Sequence, residues 1–157
     1  GIFEFVQDKE ILVIEKKLNG SKTKDVYLTT RVNSKTISEN LFLSHVGILI
    51  GRLKRRNFVP SMAGADLISR VSNNFPFVTV NQTAEALVLY GRDVMYASIL
   101  DYGDLSKNNT ILIILNENRV AIGLGINTVP IAKDMQILDD RVVINTIVDA
   151  GHYLRNE

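Results

Sequence analysis

The sequence predicts an α+β protein of two modules: a small α/β domain with an antiparallel sheet over 1–74, and a small mixed β-barrel over 75–157. Three observations carry this. Short β-branched strands punctuate the whole chain, and each half also holds segments of helical period. Charge divides it: residues 1–75 hold 12 Lys/Arg and 7 Asp/Glu, whereas residues 76–157 hold 6 and 10. After Pro76 the texture shifts to five short strands with tight polar turns and one helix, the pattern of a closed or half-closed barrel. At 157 residues, 46% of them hydrophobic, the chain suits two small packed domains and not global disorder.

In the first module, "EILVIEKK" (10–17) and "DVYLTTRV" (25–32) are strand-like, and Asn19-Gly20 between them is a hairpin turn signal. "SKTISENLFLSHV" (34–46), with Ser38 as a cap candidate and Ile37, Leu41 and Phe42 as a stripe, reads as a short helix. "VGILIGRL" (46–53) reads as a buried strand. Pro60 and Ser61 start an amphipathic helix over 59–72, with Met62, Ala65, Ile68 and Val71 as its apolar face.

In the second module, "FPFVTV" is a strand and "NQTAEALVLYG" a helix with Asn81 as N-cap. Gly91 ends that helix, because glycine enters the left-handed conformation without a Cβ penalty. "DVMYASI" then alternates as a strand, with Val94, Tyr96 and Ser98 on one face and Met95, Ala97 and Ile99 on the other. "NTILIIL", "RVAIGLGI" and "DDRVVINTIV" are further strands, and "DAGHYLRNE" is a tail. The alternate glycines of "IGLG" (122–125) lie within a strand and open no helix. They mark a bend or a close backbone approach, not a dinucleotide site.

Catalytic and metal chemistry finds little support. There is no Cys, so no disulfide, thiolate nucleophile or Cys-ligated zinc is available. His45 and His152 each stand alone. Asp101, Asp104 and the Asp139-Asp140 pair read as turn formers. No nucleophile elbow, phosphate loop or paired-histidine helix is present. No cofactor, metal or small-molecule substrate is expected. No apolar run approaches the ~20 residues of a membrane span, and "GIFEFVQDKE" lacks the features of a secretory signal or a myristoylation site. No membrane partner is therefore expected, and the three N-glycosylation patterns read as chance in an intracellular protein.

The sharpest charge feature is "GRLKRRNF" (51–58), with Arg52, Lys54, Arg55 and Arg56 inside five residues. It is either a solvated loop at the end of a strand or a phosphate-contacting patch, because clustered cations gain by releasing RNA counterions. Lys16, Lys17, Lys22 and Lys24 extend that field if the hairpin lies alongside.

"FPFVTVNQTAEALVLYGRDVMYASI…ILIILNENRVAIGLGI…VVINTIVDAGHYLRNE" resembles the C-terminal PUA domain of the Nip-seven family, assembly factors of the large ribosomal subunit in eukaryotes with archaeal relatives. The signatures are "LYG" at Leu89–Gly91, "GLG" at Gly123–Gly125, and "DAGHYLR" at Asp149–Arg155, which is similar to the family's D-x-G-x-Y-[VIL]-R ending. "VGILIGRLKR" (46–55) is similar to a strand of the family's N-terminal α/β domain. The resemblance covers most of 46–157, and the N-terminal region looks shortened. The chain departs from the family in the loop after the "GLG" strand. "NTVPIAKDMQILDD" offers only Lys133, with Val129, Met135 and Gln136 where the family carries basic residues.

The resemblance implies a non-catalytic RNA-binding factor in pre-rRNA processing and large-subunit maturation. Its partners would be pre-rRNA or rRNA, other assembly factors and ribosomal proteins, in the nucleus and nucleolus or the cytoplasm. The alternatives are an RNA-modification enzyme or its accessory subunit, and a protein adaptor that has lost RNA. By resemblance, Gly91, Arg92 and Lys133 belong to the edge at which PUA domains meet RNA. The charge split adds that RNA is held mainly by the first half. Val129, Ile131 and Met135 would then suit a protein neighbour, and Tyr153 would anchor the tail.

Overall fold

The computed structural model describes residues 9–18, 21–30, 47–54, 57–72, 74–132 and 140–152. The chain divides into two compact units, Gly1–Leu67 and Ile68–Glu157. The short helix expected over 34–46 lies outside the described residues.

The first unit is built on a four-stranded antiparallel sheet in the order β1-β2-β3-β4: β1 Lys9–Leu18, β2 Ser21–Thr30, β3 Ile48–Lys54 and β4 Asn57–Pro60. The β1–β2 register runs without a slip from Lys9↔Thr30 to Leu18↔Ser21, while the expected turn residues Asn19 and Gly20 lie outside the described residues. β3 is not the buried strand expected from its sequence. Gly51 is buried, but Ile48 is 57% exposed and the charged residues alternate outward. Arg52–Lys54 and Asn57–Phe58 are likewise strand and not a terminal loop, because β3 and β4 pair from Gly51↔Pro60 to Lys54↔Asn57. Pro60 is tolerated because β4 is an edge strand.

Helix α1 covers Met62–Val71. Ser61 starts it as expected: its Oγ accepts from the Gly64 N–H at 3.0 Å, and its carbonyl accepts from Ala65 N at 2.8 Å. The buried residues are the small ones, Gly64, Ala65 and Ser69. Met62, Ile68 and Val71 are only half-buried. Three-residue spacing found the helix and placed Ala65 on its inner face but missed Ser69, which stacks on Ala65 at i and i+4.

The second unit is a six-stranded mixed sheet in the order β6-β10-β9-β8-β5-β7. Its strands are β5 Phe77–Val80, β6 Val94–Met95, β7 Ile99–Tyr102, β8 Ile111–Leu115, β9 Ala121–Asn127 and β10 Val142–Asp149. Helix α2, Gln82–Leu89, follows β5. β6 and β7 lie at opposite ends of the sheet order, yet only the 3₁₀ turn Tyr96–Ser98 separates them in sequence. One short connection therefore joins the two edges, and the sheet is nearly closed as a barrel. The expected strand "DVMYASI" is broken for this reason. A single straight strand cannot pair with β10 through Val94–Met95 and with β5 through Ile99. The continuation Ile99–Tyr102 is a sixth strand taken from a stretch that reads as a turn.

The barrel core holds Val78, Val80, Val88, Val94, Leu112, Ile114, Val143 and Ile144, each at most 1% exposed. Burying such a side chain stabilises by roughly 1.5–3 kcal/mol. β8 reads "ILIIL" because its last four residues are buried on both faces, beside the parallel and equally buried β5. Ala84 and Val88, four residues apart, form the buried seam of α2. The glycines of β9 serve this packing. A Cβ at Gly125 would lie 2.5 Å from Ile144 Cγ2, and one at Gly123 would lie 3.2 Å from Val88 Cγ1. Protein atoms fill the space beside them.

Candidate nucleic-acid interface

Helix α2 ends where the sequence places its end. Asn81 Oδ1 caps the start by accepting from Ala84 N at 2.9 Å. At the other end Gly91 takes φ +74°. Gly91 N donates to the Val88 carbonyl at 2.8 Å and Arg92 N to the Leu87 carbonyl at 3.0 Å. These are the two crossed bonds of a Schellman termination, and they fix the chain's exit from the helix. The next two residues are tied to β10. Thr146 Oγ1 donates to the Arg92 carbonyl at 2.9 Å, and Thr146 N donates to Asp93 Oδ1 at 2.8 Å. The tie falls where the β9–β10 register shifts, between Thr146 and Val148. Asp93 thus replaces a ladder partner beyond the two-residue strand β6.

The result is a rigid edge with exposed cations. Gly91 and Arg92 are both exposed, and among the described residues the Arg92 side chain has no ion pair or hydrogen bond. Val142 pairs with Met95, and Tyr96 N donates to the Arg141 carbonyl at 2.9 Å. Arg141, also exposed and unpaired among the described residues, therefore flanks the far end of β6. Arg92 and Arg141 bracket one edge strand of the barrel. Sequence reasoning missed Arg141, because its closeness to β6 depends on a pairing between residues nearly fifty positions apart.

The basic hairpin of the first unit is organised differently. Arg52 lies directly opposite Asp25, and its Nε donates to Asp25 Oδ1 at 2.6 Å. Lys16 Nζ reaches Asp25 Oδ2 at 3.0 Å and the Tyr27 hydroxyl at 3.3 Å. The Asp25 side chain is only 2% exposed beneath the two cations. Hydrogen bonding to Arg52, with Lys16 adding to it, holds the carboxyl below its ordinary range despite the opposing effect of burial. The same contact raises Arg52, and Asp25 followed by Tyr27 raises Lys16. Lys22 and Lys24 face Glu15 at 3.3 and 3.9 Å. Much of the expected basic field is therefore locally neutralised. Lys54 is the exception among the described residues: it is exposed, carries no ion pair, and lines a cavity of about 380 Å³ with Leu49, Gly51, Val59 and Pro60. Arg55, Arg56 and Lys133, and the side chain of Lys17, lie outside the described residues.

The loop after β9 corrects a further expectation. Ile131 is 2% exposed and bridges to Leu105, and Val129 packs on the barrel core. Neither is offered to a protein neighbour; Met135 and Tyr153 lie outside the described residues. A network around Asn127 ties down the start of this loop at Val129. This fully buried amide accepts from Thr110 N at 2.7 Å and donates to the carbonyls of Lys107 and Val129 at 2.7 and 2.9 Å. Asp104 is a turn former, as its neighbourhood predicts. It accepts from both Ser106 N and Ser106 Oγ, and the hydroxyl, followed by the backbone N–H, lowers its pKa. Among the described residues no group of three or more His, Asp or Glu is placed to hold a metal ion. None of the described helices is long and apolar enough to cross a membrane.

The profile of the UPF0113 PUA domain matches residues 77–157. A UPF0113 protein of Archaeoglobus fulgidus is 31% identical over the whole of this chain, which spans 84% of that relative. Among solved structures, a conserved PUA domain protein from Thermoplasma acidophilum aligns over 95% of this chain and 82% of its own, at 15% identity and a TM-score of 0.61. A hypothetical protein from Pyrococcus horikoshii aligns over 92% and 76%, at 16% identity and a TM-score of 0.58. The two structures share the fold, and the sequence match gives the family. The chain belongs to the UPF0113 family and carries its PUA domain over residues 77–157.

Proposed function

We propose that this protein is a non-catalytic RNA-binding factor that assists assembly of the large ribosomal subunit, as its resemblance to the Nip-seven family implies. The observation that carries RNA binding is the β6 edge. Two exposed cations, Arg92 and Arg141, bracket a strand whose backbone is immobilised by the Schellman bonds and by Thr146. Phosphates favour unpaired cations on a rigid frame, since no ion pair must be broken and little order must be imposed. Lys54 of the first unit supplies a further contact. Arg52 contributes less, because its charge is already shared with Asp25. With few unpaired cations among the described residues and an acidic second half, binding is weak and salt-sensitive, and protein neighbours in the precursor particle supply the remaining affinity. The site of action is the compartment where large subunits form, which is the nucleolus in a nucleated cell. The test is ultraviolet crosslinking of the tagged chain in its own cells, followed by sequencing of the bound RNA. Enrichment of large-subunit rRNA precursors is expected. Recovery of transfer RNA alone would contradict the ribosomal assignment.

A further inference from the structure

The β6 edge carries a feature that phosphate contact does not explain. Tyr90 is 71% exposed, and Leu87, one turn earlier on the same face, is 48% exposed. A Schellman termination usually covers such a residue, because the position two past the cap brings an apolar side chain onto it. Here that position is Arg92, so Leu87 stays uncovered beside the exposed Tyr90 ring. Nothing in the fold needs this exposure. Tyr90 N is held by the Leu87 carbonyl at 3.0 Å, and the flanking Gly91 adds no side chain that would block the ring.

We propose that the Tyr90 ring is a stacking platform for an unpaired RNA base, with Arg92 taking the phosphate beside it. This rests on the RNA-binding reading above and names its substrate class: single-stranded RNA, not a duplex. The chemistry favours that ligand. An aromatic ring on a fixed backbone loses little entropy on stacking, and every base offers a π-face. A bare glycine between ring and cation lets the sugar-phosphate chain approach closely. A duplex keeps its bases stacked internally and presents only phosphates and groove edges, which leaves the ring without a partner.

The experiment uses the full chain and fluorescein-labelled oligouridylate and oligoadenylate of about ten nucleotides, with an RNA duplex of equal length for comparison. Tyr90→Ala and Tyr90→Leu are expected to weaken single-strand binding roughly five- to a hundredfold, as loss of one stacked base does. Tyr90→Phe stays within about twofold of the unaltered chain, and duplex binding is unchanged in all three, since only stacking is removed. If Tyr90→Ala binds single strands as well as the unaltered chain does, the ring is not a platform, and the patch is left to a protein neighbour. Equal losses on single strand and duplex, or a loss in Tyr90→Phe matching that in Tyr90→Ala, also overturn the proposal. If the unaltered chain binds none of the three probes, the RNA-binding reading itself fails, which is a distinct result.

Discussion

Arg52 Nε donates to Asp25 Oδ1 at 2.6 Å across the β2–β3 pairing, and Asp25 is nearly inaccessible beneath it. The most conspicuous basic cluster in the sequence therefore contains a cation that completes a buried carboxylate. Removing it by Arg52→Ala leaves Asp25 with Lys16 alone. Breaking a fully buried pair costs about 3–5 kcal/mol, but both cations here are half exposed, so about 1–2 kcal/mol is expected. Urea unfolding of the variant measures this.

The same pair sets an acid limit. Asp25 in the folded chain is held below its ordinary value of 3.8. A depressed carboxylate contributes stability that is present above the unfolded value and is lost as pH falls through the folded one. Stability should therefore fall below about pH 4 as Asp25 protonates. In Asp25→Asn that part of the acid limb is missing, and the urea midpoint changes less between about pH 4 and pH 2. Equal slopes for the two proteins would show that Asp25 is not a source of the acid sensitivity.

Asn127→Leu should be among the more damaging single substitutions in the barrel. It strips partners from Thr110 N and from the carbonyls of Lys107 and Val129, in a position with no solvent access. A buried polar group left unsatisfied costs about 1–3 kcal/mol, so a total of roughly 2–4 kcal/mol is expected. Thermal unfolding gives the size of the effect. Hydrogen exchange should show faster opening at Thr110.

Gly91→Ala separates the cap from the interface. A φ of +74° costs a side-chain-bearing residue about 1–2 kcal/mol. The melting temperature should drop by several degrees, as a loss of this size does in a small domain. RNA affinity at a temperature where the variant is folded should change only modestly, because Arg92 and Arg141 remain. A large affinity loss without destabilisation would make Gly91 itself a contact.

Local chemistry made some elements legible. Asn81 and Gly91 announced both ends of α2 through backbone conformation alone, and the Asn-Gly turn announced the first hairpin. Relationships between distant residues were not legible. The alternation in "DVMYASI" gives no sign that the chain must leave one sheet edge and join the other. Asp25 reads as the polar boundary of a strand until Arg52 and Lys16 close over it. Asn127 looks like the end of β9, because its partners lie up to 22 positions away. The candidate site was half visible. Gly91 and Arg92 stand in sequence, whereas Arg141 joins them only through the pairing of β10 with β6.

Under the proposed function, phosphate contact lies at the β6 edge of the PUA domain and not at Arg52. The direct measurement is the salt dependence of affinity for single-stranded RNA. It compares the unaltered chain with Arg52→Ala and with the double variant Arg92→Ala/Arg141→Ala. Each lost phosphate contact lowers the slope of log affinity against log salt by about 0.7 for a single strand, so the double variant should lose about 1.4. Arg52→Ala should keep the original slope. An unchanged slope in the double variant, with a reduced slope in Arg52→Ala, would contradict the account and return RNA contact to the basic hairpin.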